Sequence, residues 1–201
     1  ILEKDKDVKS LYYTVASSDK PATRCSLMLY KSLLNSLGSV SFKVAVPEGT
    51  EKRYPTDIAN FVLPSYKPNK SWKYVGDLKY TKSIYDLEYD NFIYIDSDIL
   101  WFIDGFVPNG NLLTTEKKSL GDPWYSTGWS PKNKDRKGAC AGFFCVSKEL
   151  GLKMSNFVSD KIRAWADNDA PKREQSAFNE FIENCGYEQW KDVSSLIVGA
   201  A

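Results

Sequence analysis

Two acids one residue apart, Asp96-Ser97-Asp98, close the apolar run Phe92-Ile93-Tyr94-Ile95. Carboxylates this close repel one another, a cost that a proton or a cation relieves. Hard oxygen donors suit Mg²⁺ or Mn²⁺, ions that keep coordination positions open for substrate phosphates. The plainer alternative is that one Asp caps a turn while the other faces water. The place of the pair after a buried strand favours the metal, because open α/β sheets bind ligands outside the carboxyl ends of their strands. An EF-hand is excluded, since Ile99, Leu100 and Trp101 stand where that loop needs further oxygen ligands and a Gly.

Composition narrows the chemistry. The 201 residues include no histidine, which removes Ser-His-Asp and Cys-His catalysis, imidazole zinc sites and HExxH metalloproteases. Any general base is then a carboxylate or something less usual, and any metal is held mainly by oxygen. Lys and Arg number 27 against 26 Asp and Glu, a formal charge of +1. Nucleic acid and anionic lipid select a basic excess and are not expected partners. Cys25, Cys140, Cys145 and Cys185 are too scattered for a CxxC pair and too sparse for a disulfide scaffold, so buried reduced thiols are expected. No apolar run approaches the roughly 20 residues of a membrane span, and the leader Ile-Leu-Glu-Lys-Asp-Lys-Asp is charged where a signal peptide is apolar. The expectation is a cytoplasmic protein, monomeric or weakly dimeric. A start without Met and an end in Val-Gly-Ala-Ala read as one domain, residues 1–201, cut from a longer polypeptide.

The elements that must hold the acid pair alternate between strand and helix. Leu11 to Ala16 is aromatic and β-branched and reads as a buried strand. Asp19 then offers an N-cap, and Cys25, Leu29, Leu33 and Leu37 recur every four residues until Gly38. Val40 to Val46 alternates as a second strand closed by Pro47, and Phe61 to Leu63 is a short third. One helix is expected from Trp72 to about Tyr89, leading into the strand Asn91 to Ile95. Asn111 to Thr115 and Ala139 to Val146 are further strands around a polar loop at 121–138. Ser147 caps a helix to about Asp167, and another runs from Glu174 to about Asn184. The pattern predicts an α/β sheet layered between helices.

Four of these segments, in this order, resemble a GT-A glycosyltransferase of the glycogenin and galactosyltransferase group. They are Leu11 to Asp19 with its following helix, Lys79 to Phe102 with the Tyr-Ile-Asp-x-Asp run, Cys140-Ala-Gly-Phe-Phe-Cys-Val146, and Glu174-Gln-Ser-Ala-Phe-Asn179. The likeness covers most of residues 11–184 and is nearest to the capsid-decorating glycosyltransferases of large algal viruses (chloroviruses), which would place the protein in the cytoplasm of an infected host cell. It implies a GT-A fold with a mixed, mainly parallel sheet, a UDP-sugar donor, and Mn²⁺ or Mg²⁺. Thr14, Val15, Ala16 and Ser17 would hold uracil and ribose through backbone groups. Lys79 would meet ribose or diphosphate, Asp96 ribose and metal, Ser97 the ribose, and Asp98 the metal. Gly142 would let its strand pass close to the donor sugar, with Glu174 and Gln175 nearby. Cys140 stands where that group prefers Asn, and Glu174 where it prefers Asp. The group's common third metal ligand, a His, is missing. Asp122 or Asp192 would complete the shell, or water and diphosphate oxygens would suffice.

The activity implied is transfer of a hexosyl or deoxyhexosyl group from a UDP-sugar to a hydroxyl of a glycan or glycoprotein. An inverting reaction needs a base, for which Glu174 and Asp122 are the candidates; a retaining one does not. Trp124, Tyr125 and Trp129 could stack on acceptor sugars. Two rivals remain at this level: a haloacid-dehalogenase-like phosphohydrolase with Asp96 as nucleophile, and a non-catalytic carbohydrate-binding module.

Overall fold

The computed structural model describes residues 8–16, 20–47, 51–55, 58, 60–63, 76, 78–115, 138–166 and 174–196. The aromatic run at 11–15 forms β1 (Ser10–Val15), every residue of which after Ser10 is buried, as a strand covered on both faces requires. β2 (Ser41–Pro47) lies parallel on one side of it and β4 (Asn91–Ile95) parallel on the other. β3 (Asn60–Leu63) extends the sheet beyond β2. β6 (Ala139–Ser147) runs antiparallel to both β4 and β5 (Leu112–Thr115). The two-residue β7 (Lys191–Asp192) pairs parallel with β5. The seven strands stand in the order β3-β2-β1-β4-β6-β5-β7.

Among the described residues, the sheet is covered by the helices α1 (Lys20–Leu37), α2 (Lys82–Tyr85), α3 (Lys148–Ala166) and α4 (Glu174–Cys185). α1 ends where expected, because Gly38 takes φ 76° and donates to the carbonyl of Leu34. Ser147 caps α3 by accepting from the Leu150 N–H at 3.3 Å. The period-2 alternation of the strands divides the core. Tyr13, Tyr94 and Phe144 pack with Tyr85, Met154 and Phe178 under α2, α3 and α4. Tyr12, Ile93 and Phe143 pack with Leu29, Leu33 and Trp101 on the α1 side.

The single helix expected from Trp72 to Tyr89 is not what forms. Within the described part of that stretch the helical positions are 76, 78 and 79, followed by a break at Tyr80 and Thr81 and then α2. The freed carbonyls explain the break. Lys79 O accepts from the Tyr13 hydroxyl at 3.1 Å, and Tyr80 O accepts from Ser155 Oγ at 2.6 Å. These side chains, far away in sequence, take the place of the next helical turn. β7 was not expected at all. Among the described residues no helix is long and apolar enough to cross a membrane, and none of the four cysteines forms a disulfide.

The strand order creates one privileged place. From β1 the sheet continues to β2 and β3 on one side and to β4 on the other, so the connections diverge at β1 and β4. Their pairing runs only as far as Tyr13 opposite Tyr94, beyond which the carboxyl ends separate. Such a switch point is where doubly wound sheets receive ligands.

Candidate functional site

Asp96 leaves β4 at that point. Tyr94 and Ile95 stand opposite Phe144 and Phe143, and the Asp96 N–H continues the ladder by donating to Gly142 O at 2.8 Å. A turn follows, closed by Ile99 N–H to Asp96 O at 3.0 Å. Period-2 geometry puts the Asp96 and Tyr94 side chains on one face, and the Tyr94 hydroxyl donates to Asp96 Oδ1. A Cβ at position 142 would stand 3.0 Å from Asp96 Oδ2. Glycine there leaves the room the carboxylate occupies.

Lys79 reaches the same carboxylate from the short helical segment before the break. Its ammonium lies 3.6 Å from Asp96 Oδ1 and 3.6 Å from Glu174 Oε1, and 4.2 Å from the centre of the Tyr94 ring. Its side chain is 1% exposed. A buried ammonium is tolerated only when paired, and here two carboxylates and an aromatic face pair it. Gly76 permits the approach, since a Cβ there would lie 3.0 Å from Glu174 Cβ and 2.8 Å from Ile162 Cδ1.

Glu174 and Gln175 open α4, and Asn179 anchors that helix to β6. Asn179 accepts from Ala139 N–H at 2.7 Å and donates to Ala139 O and Gln175 O, each at 2.9 Å. Gln175 Oε1 accepts from Ala141 N–H at 3.4 Å. Lys79, Asp96, Gly142, Glu174 and Gln175, drawn from four segments, are thereby brought together. Cys140 belongs to the same strand end, its sulfur accepting from Gly142 N–H at 3.5 Å.

The remaining expected residues fare differently. Thr14, Val15 and Ala16 are buried at the carboxyl end of β1. The Ala16 N–H donates to Ala45 O at 3.0 Å, extending the β1–β2 ladder by one residue. Ser97 lies in the turn after β4, and Asp98 is exposed there. Asp192 is not part of the site. It sits on β7, three strand spacings or about 14 Å from β4, where Thr115 Oγ1 donates to its Oδ2 at 2.9 Å and the Ser194 N–H to its Oδ1 at 2.9 Å. Ser17, Asp122, Trp124, Tyr125 and Trp129 lie outside the described residues.

Tyr94, Tyr80 and Gly76 were not singled out from sequence. The alternation that puts Tyr94 on the face of Asp96 was the available signal. Burial, and then the charge of Asp96, push the Tyr94 hydroxyl well above the ordinary tyrosine range. It therefore stays a neutral donor to the carboxylate.

Two carboxylates, Asp96 and Asp98, are available to a metal. Asp96 Oδ1 is engaged by Tyr94 and Lys79, which leaves Oδ2 on a side chain 41% exposed. Among the described residues no group of three or more His, Cys, Asp or Glu converges on one point. This donor set does not fit a closed zinc cage. It does fit Mg²⁺ or Mn²⁺ completed by water and ligand oxygens. A separate pocket of about 410 Å³, lined in part by Val8, Ser10, Leu37 and Val40, lies at the opposite, amino end of the parallel strands.

No family model matches the chain, and no curated protein matches it at a significant level.

Proposed function

We propose that the protein is a metal-dependent glycosyltransferase that moves a sugar from a UDP-sugar to a hydroxyl of a glycan or glycoprotein, a capsid protein if the viral resemblance holds. The observation that carries this reading is the convergence of Lys79, Asp96, Gly142 and Glu174 beside the switch point of the sheet. An exposed acid pair, one buried cation and a glycine-lined strand at such a place suit an anionic diphosphate linked to a neutral group.

Asp96 Oδ2 and Asp98 would hold Mn²⁺ or Mg²⁺, which when bound supplies positive charge to the departing diphosphate. Lys79 adds a fixed ammonium that needs no reorganisation as that charge develops. Tyr94 keeps Asp96 aimed by holding Oδ1. Gly142 allows the donor to lie close to β6, and Glu174 and Gln175 at the start of α4 present oxygen acceptors and an amide to its hydroxyls.

Binding of UDP with and without Mn²⁺, followed by product analysis with a panel of UDP-sugars, tests the proposal. Metal-dependent UDP binding and slow hydrolysis of one UDP-sugar are expected. Phosphate release from simple esters without a nucleotide, or glycan affinity without UDP binding, would transfer the case to the phosphohydrolase or the binding module.

A further inference from the structure

The exposed apolar side chains are gathered along one seam. Among the described residues, the large hydrophobic side chains left exposed are Val8, Met28, Leu100, Phe102, Val107 and Leu196. All but Leu196 border the line where residues 99–107, the loop after the acid pair, run beside α1. Hydrogen bonds fix that line. The Trp101 N–H donates to Ser32 Oγ at 2.9 Å, Ser36 Oγ donates to Trp101 O at 3.4 Å, and the Gly105 N–H donates to Ser36 O at 3.4 Å. Met28 lies one turn before Ser32 on α1. At the far end Val107 and Val8 line the pocket of about 410 Å³ together with Leu37. The seam thus follows α1 from Met28 to Leu37, about 14 Å.

This exposure is enforced by the fold. Along the loop Ile99, Trp101 and Ile103 turn toward the core, and Leu100 and Phe102 alternate with them outward. Trp101 is the anchor, its ring stacked on Phe106 at 6.0 Å and its Nε1 donating to Ile103 O at 3.1 Å. With Trp101 held inside, Phe102 stays 76% exposed. Apolar surface is costly to leave in water, so a row of such side chains held outward marks a face that another body covers. The charge beside the row selects that body. α1 contains Lys20, Arg24 and Lys31 and no acid. Arg24, Met28 and Lys31 share its exposed stripe, and neither Arg24 nor Lys31 forms an ion pair among the described residues. The exposed acids nearby, Asp98 and Asp104, lie on the loop, so the positive charge comes from the helix side of the seam. A second copy docked by a two-fold contact would bring these same cations against each other. An anionic bilayer attracts them and takes bulky apolar side chains into its interface.

We infer that the seam between α1 and the 99–107 loop is a peripheral docking surface for an anionic lipid bilayer, with Leu100 and Phe102 seated in the interface and Arg24 and Lys31 on the head groups. The surface stands apart from the glycosyltransferase reading, because it needs neither metal nor nucleotide. The whole-chain charge of +1 conceals it, since acids elsewhere offset the cations that α1 concentrates on one face.

Flotation of the full chain with vesicles of phosphatidylcholine, alone or mixed with phosphatidylserine, tests this. Weak binding to the mixed vesicles that fades as salt is added is expected, with little binding to phosphatidylcholine alone. Leu100→Ser with Phe102→Ser, and separately Arg24→Glu with Lys31→Glu, should each weaken that binding at least about fivefold. Both double variants should melt as the wild type does, because all four side chains are exposed. Leu196→Ser, which removes an exposed apolar group beyond β7, should bind as the wild type does. No binding to the mixed vesicles, equal binding to phosphatidylcholine alone, or binding unchanged in either double variant overturns the inference. So does a dimer seen by sedimentation without vesicles that Leu100→Ser with Phe102→Ser dissociates, since the seam would then meet a second copy of the chain.

Discussion

At the scale of single residues, the site depends on how closely groups approach. The 3.0 Å between a hypothetical Cβ at 142 and Asp96 Oδ2 is tighter than side chains normally tolerate. Gly142→Ala should therefore turn the carboxylate aside, weakening Mn²⁺-dependent UDP binding by about tenfold or more, given how steeply function depends on small displacements. Circular dichroism should show an intact fold, and calorimetry would read the loss; unchanged binding would show that Asp96 is not a ligand. Lys79→Met should weaken UDP binding with or without metal, because it removes the buried positive charge and leaves Glu174 and Asp96 facing each other uncompensated. A variant that loses only the metal-dependent part would place Lys79 outside the diphosphate's reach.

At the scale of elements, α4 is useful only where Asn179 fixes it. That side chain satisfies both the N–H and the C=O of buried Ala139, so Asn179→Ala should cost roughly 2–4 kcal/mol in urea unfolding, from two stranded backbone groups. It should also loosen Glu174. Gly151 on α3 is a purely structural counterpart, as a Cβ there would come within 2.4 Å of the Tyr85 ring. Gly151→Ala is expected to destabilise by about 1–3 kcal/mol while leaving nucleotide affinity intact. The elements readable in sequence were those with an apolar run, a period-2 alternation or a clear helical period, namely β1 to β6, α1, α3 and α4. The break after Lys79 was not readable, because the groups that cause it, Tyr13 and Ser155, are 66 and 75 residues away. Two-residue β7 is too short to carry any period. At the site, the pair Asp96 and Asp98 stood out in the residues themselves, whereas Lys79, Gly142 and Glu174 were pointed to only by the family resemblance. Tyr94 was hidden by its double duty as a core residue, and Asp192 looked eligible only because sequence does not show that it lies across three strand spacings.

At the scale of the whole molecule, the face of the sheet under α2, α3 and α4 is crowded with tyrosines. Tyr13, Tyr80, Tyr85 and Tyr94 all have hydroxyls raised above their ordinary range, burial being the largest cause in each. Tyr12 on the other face is raised likewise, and burial pushes the Cys145 thiol up to about 12. Each group stays protonated in the folded state at a pH where the unfolded chain releases its proton. The tyrosines' contribution to stability is complete below their unfolded pKa of about 10, and that of Cys145 below about 9; each is lost as pH rises above that value, at about 1.4 kcal/mol per pH unit for each group ionised only on unfolding. Stability should thus begin to decline near pH 9 and fall steeply above about pH 10, with tyrosinate absorbance appearing together with loss of near-ultraviolet circular dichroism. Tyrosines that titrate singly near pH 10 in a protein that stays folded would contradict the packing described for this face.

The same scale holds the central claim, that Asp96 and Asp98 present a metal to a nucleoside diphosphate at the switch point of the sheet. Thermal denaturation of the wild type and Asp98→Ala, with UDP and Mn²⁺ added singly and together, tests it most directly. UDP and Mn²⁺ together at about 100 times their Kd should add about 2.7 kcal/mol to the stability of the wild type, a rise in Tm of roughly 5–10 °C for a chain of this size. Asp98→Ala should melt like the wild type when alone and lose most of that rise. An equal rise in both proteins, or none in the wild type, would contradict the account.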